Sequence, residues 1–173
     1  MPSSTSSEAG ASFVSAPTRR ERLRQLRPSD LSLGAQTLVL YPALGFALRR
    51  WGLRRVQERL KGLTPEQPRR RAGTADDARR LAWIVEVTGR RGPWQPNCLQ
   101  RSVMLWWLLA RRGYGGELCI GVRRKSGSPT GSGTLDFHAW VELEGAVLND
   151  TPRVREAFAT FGRPIASPDA RWR

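Results

Sequence analysis

The chain has 173 residues, enough for one domain with a real core, and its two cysteines are too few for a disulfide scaffold. One histidine and two distant cysteines cannot supply the four ligands of a structural zinc site, and no cofactor motif is present. Lys and Arg number 29 against 15 acidic residues, a net charge of +14; this points to an acidic partner, or only to a GC-rich genome that writes Arg for Lys.

Residues 1 to about 17 read as a disordered Ser/Ala-rich tail without the apolar run of a signal peptide, and a reducing, cytoplasmic setting fits. Arg19 to Arg27 is a basic stretch with Leu23 and Leu26 at helical spacing. Pro28-Ser29-Asp30 predicts a helix start, with Ser29 or Asp30 as cap. Leu31 to Leu48 holds no charged residue, and its eighteen positions sit at the lower edge for a membrane span. Ser32, Gly34, Gln36, Thr37, Pro42 and Gly45 argue instead for a buried helix kinked near Pro42. Arg49 to Leu60 continues as a basic amphipathic helix with Trp51, Leu53, Val56 and Leu60 near one face. Such a helix packs on its domain, docks a partner, or makes peripheral membrane contact through 31–60.

Pro65 to Gly73 is a Pro/Arg linker, which divides an N-terminal helical segment, 18–73, from a core, 74–173. Thr74 caps a helix from Ala75, with Asp76 and Asp77 where the dipole favours acid and Gly89 at its end. Pro96 keeps the chain extended, and Asn97 caps a helix that carries Cys98 in its first turn and runs to about Arg112, with Gly113 as its left-handed stop. Three β signals follow: Glu117 to Arg123, then after a Gly/Ser loop at Ser126–Thr134 Leu135 to Leu143, and a return strand Ala146 to Asn149 after a hairpin turn at Glu144-Gly145. Val154 to Phe161 reads as a short helix. The pattern is α+β: N-terminal helices and a cysteine-bearing helix packed on a small antiparallel sheet.

Three residues carry chemistry. Unpaired N–H groups at a helix start stabilise a thiolate and can hold the oxyanion of a tetrahedral intermediate, and Cys98 is placed for both. Cys119, on a strand between apolar neighbours, reads as structural. His138 stands on the opposite face of its strand from Phe137, Ala139 and Val141. If the hairpin turns through a three-residue loop, Leu143-Glu144-Gly145 with Gly145 left-handed, Glu142 pairs with Ala146 and Asp150 falls directly across from His138. Opposed Cβ atoms are then about 4.5–5.5 Å apart, within reach of a carboxylate–imidazole bond. A two-residue turn would put Asp150 on the wrong face and leave Glu142 as the nearest acid. Cysteine, base and orienting acid together make a nucleophilic triad, Cys98, His138 and Asp150.

Cys98-Leu99-x-Arg101-Ser102, Leu105/Leu108/Leu109, Arg112-Gly113, Ile120-Gly121-Val122-Arg123, His138-Ala139-Trp140-Val141-Glu142 and Asn149-Asp150 resemble the transglutaminase-like leader peptidases of lasso-peptide biosynthesis. The likeness covers about Leu31 to Asp150, including the Leu-rich helix ending in Arg49-Arg50; the Ser-rich tail and the Gly/Ser loop depart from it. It implies a papain/transglutaminase-like core, a Cys-His-Asp triad on the three residues above, and cleavage of a ribosomally made precursor peptide. It also implies a winged-helix leader-recognition module and a macrolactam-forming cyclase as partners. Residues 1–96 read as helices without the strands of a winged helix, so the recognition module is expected as a separate protein. Acyl transfer on the same core, as in transglutaminases, is one alternative. A non-catalytic basic binding protein is the other, but nucleic-acid binding would call for aromatics among exposed cations, and Trp106 and Trp107 lie in an apolar helix instead.

Overall fold

The computed structural model describes residues 27–64, 73–124 and 134–166. The N-terminal tail, the basic stretch before Arg27, the linker from Pro65 to Ala72 and the Gly/Ser loop up to Gly133 lie outside the described residues.

Helix α1 spans Pro28–Gly62. Its cap is Arg27, not Ser29 or Asp30: Pro28 takes the first helical position, where its missing N–H costs nothing, and Asp30 reaches back to accept from the Arg27 N–H at 2.7 Å. The break expected near Pro42 falls at Gly52 instead, where φ is 76° and ψ is 167°. Pro42 stays inside the helical run at the loss of one hydrogen bond, whereas a positive φ is a conformation that glycine alone adopts cheaply. Leu33, Thr37, Tyr41 and Leu44 form the inward face, and the buried Tyr41 hydroxyl donates to the Val85 carbonyl at 2.9 Å. An eighteen-residue window of α1 has mean hydropathy 1.5, so by length and composition it could cross a membrane; 28% of that window is buried against the rest of the chain.

Helix α2, Ala75–Arg91, starts in a reciprocal box: Thr74 Oγ1 accepts from the Asp77 N–H and Asp77 Oδ2 from the Thr74 N–H. It ends at Gly92 rather than Gly89. Gly89 is a packing glycine: a Cβ there would come within 2.9 Å of the Tyr41 hydroxyl and the Arg101 side chain. Helix α3, Cys98–Ala110, is boxed in the same way by Asn97 and Gln100, at 2.9 Å in both directions. From Ser102 to Ala110 every residue is buried.

Strands β1 (Glu117–Arg124), β2 (Leu135–Leu143), β3 (Ala146–Val147), β4 (Ala159–Thr160) and β5 (Ile165–Ala166) form one antiparallel sheet ordered β3-β2-β1-β4, with β5 also on β1. Leu118, Val141 and Leu143 join the three helices in the main core, while Cys119, Trp140, Val154 and Phe158 form a small cluster of their own. The alternation of β2 divides these clusters between its two faces. The architecture is the α+β arrangement the sequence implied.

Three local expectations are corrected. The return strand is Ala146–Val147 only. The helix expected over Val154 to Phe161 is a single turn, α4 (Val154–Ala157), after which the chain joins the sheet as β4. The hairpin turn has two residues, because Leu143 pairs with Ala146 and Glu142 with Val147. Glu144 and Gly145 both take positive φ, 49° and 77°, the twist that a two-residue connection between right-twisted strands needs.

Candidate active site

The site lies at the edge of β2 where β3 stops. His138 shares a strand face with Trp140, and its ring stacks on Phe158 with centroids 5.0 Å apart and on Trp140 at 6.4 Å. Opposite His138 on β1 stands Gly121. A Cβ at Gly121 would lie 2.7 Å from Phe158 Cβ and 2.9 Å from the Trp140 ring, so the missing side chain is what lets Phe158 reach the imidazole.

Asp150 Oδ2 is 2.5 Å from His138 Nε2, and its other oxygen accepts from the Thr151 N–H at 2.6 Å. Both side chains keep about a quarter of their surface, 24% for His138 and 27% for Asp150. A two-residue turn with a regular ladder would have set Asp150 opposite Ala139, with its carboxylate on the wrong face. The ladder is not regular. The Leu148 N–H donates to the Val141 carbonyl at 2.9 Å, but the Val141 N–H donates to the side-chain Oδ1 of Asn149 at 2.7 Å. A side chain thus stands where a main-chain acceptor would be, the chain departs from strand register, and Asp150 comes to His138. The expected turn is wrong, and the expected contact arises by another route.

Asn149 Nδ2 also donates to Ser102 Oγ at 2.9 Å, and Ser102 Oγ donates to the Ala139 carbonyl at 2.8 Å. Ser102 lies one turn after Cys98 on the same side of α3. Helix α3 is therefore tied at Ser102 to the β2 edge next to His138. Cys98 is half-buried. Among the described residues, its thiol and the imidazole share no hydrogen bond. The structure brings His138 and Asp150 into contact, and ties α3, the helix that Cys98 starts, to β2 through Ser102. Sequence reasoning gave no role to Ser102 or Asn149; the available signal was a serine opening an otherwise apolar run. Arg101 fixes the preceding loop, with Nε 3.1 Å from Glu86 Oε1 and Nη1 donating to the Pro96 carbonyl at 2.9 Å.

Two other titratable groups near the site, Cys119 and Glu142, are occupied elsewhere. Cys119 is 2% exposed, and burial, helped by the negative charges of Glu142 and Glu117, pushes its thiol up to about 12. Burial would also raise the Glu142 carboxyl, but hydrogen bonds from Arg155 and Trp140 outweigh it and hold the group below the usual carboxylate range. Glu142 is thus spent on Arg155 Nη2 at 2.5 Å and the Trp140 indole N–H at 2.7 Å. A cleft of about 360 Å³ opens beside His138 and Asp150, walled by Arg123, Arg153 and Phe158. Among the described residues, no group of three or more His, Cys, Asp or Glu side chains is gathered as metal ligands would be.

Residues 40–163, which include all three chemistry-bearing residues, match the family model described as the transglutaminase-like superfamily. No curated protein and no solved structure matches the chain.

Proposed function

The chain belongs to the transglutaminase-like superfamily, and from that premise we propose that it is a cysteine peptidase acting in the cytoplasm. Its substrate is a ribosomally made lasso-peptide precursor, from which it removes the leader. The observation that carries this reading is the imidazole–carboxylate pair, His138 Nε2 to Asp150 Oδ2 at 2.5 Å, on the strand to which Ser102 ties the cysteine-bearing helix α3. With Nε2 bonded to Asp150, Nδ1 is left to take the Cys98 proton. The thiolate attacks the scissile carbonyl, and the oxyanion is met by free N–H groups at the helix start. Asp150 stabilises the imidazolium, which then protonates the departing amine. Water hydrolyses the thioester and returns the thiol.

The released amine is the new N-terminus that a separate macrolactam-forming cyclase joins to an acidic side chain. Among the described residues, those before Cys98 form two helices and no strand, so the leader is held by a separate winged-helix recognition protein. The seat for that protein is the half of α1 after Arg49. Here Arg49, Arg50, Arg54 and Arg55 are exposed, and Arg59 with Phe46, Trp51, Leu60 and Trp107 lines an apolar groove of about 390 Å³. The test is incubation with precursor peptides encoded beside the gene, with and without the recognition protein, read by mass spectrometry. Cleavage at one bond, strongly accelerated by the recognition protein, is expected. Uncut precursor in every combination overturns the reading, and a product heavier by an added amine makes the enzyme an acyltransferase.

A further inference from the structure

We infer that Ser102 and Asn149 are positioning residues, whose hydrogen-bond chain keeps Asp150 on His138 and the Cys98 turn beside it. In its catalytic part this inference rests on the peptidase reading.

Ser102 is wholly buried in the middle of α3, among apolar neighbours. A buried hydroxyl must find a partner, and within a helix the ready one is the carbonyl four residues back. Ser102 instead donates across 37 residues to the Ala139 carbonyl. That carbonyl and the Val141 N–H belong to the edge of β2 beyond the end of β3, where no strand satisfies them. The chain of bonds satisfies both in one direction: Val141 N–H to Asn149 Oδ1, Asn149 Nδ2–H to Ser102 Oγ, Ser102 O–H to Ala139 O. Position 149 must therefore accept with one end and donate with the other, which an amide does and a carboxylate cannot. Closing the edge this way takes the chain out of strand register at Asn149, and register alone would have carried Asp150 to the other face. The same serine ties α3, the helix that starts with Cys98, to β2 one turn after the cysteine. One chain of three hydrogen bonds thus sets the relative placement of nucleophile, base and acid.

His138 is the only histidine, so ¹⁵N-histidine labelling reports a single imidazole. In the full chain, with Nε2 bonded to a carboxylate, the neutral ring should show the Nε2–H tautomer. Asn149→Asp keeps the shape but cannot donate to Ser102, and Asn149→Ala removes the amide without adding charge. Both, and Ser102→Ala, should lose the tautomer preference while the melting curve stays cooperative. Alkylation of Cys98 by iodoacetamide, followed on its own peptide, should slow about tenfold, and kcat on the precursor should fall roughly 10²-fold with KM little changed, as for a displaced catalytic group. The double variant Ser102→Ala/Asn149→Ala should be no worse than either alone, because the chain acts as a unit. An unchanged imidazole spectrum in all three single variants overturns the inference, even if the wild type cuts precursor. A wild type that cuts nothing, with the spectrum and alkylation still responding, removes the peptidase reading and leaves the positioning intact.

Discussion

The two long sides of β2 are held by different means. Toward β1 the pairing runs unbroken from Glu117↔Glu142 to Arg124↔Leu135. Toward β3 there are only two pairs, Glu142↔Val147 and Leu143↔Ala146, and beyond them side chains take over from the main chain. A ladder accepts almost any residue and gives stability. An edge closed by Asn149, Ser102 and Asp150 accepts very few residues, but it gives directed polar groups. The candidate chemistry sits on the second side. Substitutions there should change rate more than stability, and substitutions on the β1 side the reverse.

The largest contrast is between the two sulfurs. Cys98→Ala should abolish cleavage of precursor with little change in melting temperature. Cys119→Ala, the same exchange on the β1 side, should keep most activity and cost about 1–2 kcal/mol, since it opens a small buried space. A folded but dead Cys119 variant would mean that the nucleophile is the other sulfur. Next comes Asp150→Asn. The amide can no longer stabilise an imidazolium, so kcat should drop roughly 10²–10⁴-fold, the size of a general acid–base contribution, with unfolding in urea almost unaltered. A loss of stability as large as the loss of rate would erase the distinction between the two sides.

A polar pair remote from both sides sharpens the comparison. Buried Asp30 is ion-paired with Arg80, whose hydrogen bonds hold its carboxyl below the ordinary 3.8 against the opposing effect of burial. Asp30→Ala should cost about 1–3 kcal/mol at neutral pH, because it removes the buried carboxylate that accepts from both Arg80 and the Arg27 N–H, and should spare kcat. The folded value is the lower one, so this stabilisation is complete above the ordinary carboxylate range and is lost as pH falls from there through the depressed folded value. The gap between wild type and variant in urea unfolding should therefore close on acidification. The smallest effect on rate among the residues around His138 belongs to Gly121→Ala, on the ladder opposite His138. Overpacking against Phe158 and Trp140 should cost about 1–3 kcal/mol, and because Phe158 stacks on the imidazole it should also lower kcat modestly. Stability lost with no change in kcat would show that the stack does not position the ring.

Much of this was legible in the residues. Thr74 with Asp77, and Asn97 with Gln100, announce their helix starts by spacing, and the alternation around His138 gives its face. The turn was not legible. Gly145 alone suggested one left-handed residue, but Glu144 is left-handed too, and nothing in a glutamate signals that. Nor does spacing reveal that Asn149 will replace a main-chain acceptor with its side chain. These two omissions act in opposite directions, so the His138–Asp150 contact was anticipated from a register the hairpin does not have. Gly52 and Pro42 teach a related point. A proline inside a long helix costs one bond that packing can offset, whereas a glycine's positive φ redirects the chain.

The hydrogen bonds of Ser102 span 37 and 47 residues of chain. Helices α2 and α3 and the β1–β2 pairing close shorter loops, and loop-closure entropy favours them earlier in folding. Closure of the strand edge is thus expected after the helices and the β1–β2 pairing. A chain still leaving the ribosome can hold its helices before residue 149 exists to complete the edge, so the His138–Asp150 pairing is set only after the helices and the β1–β2 pairing are in place.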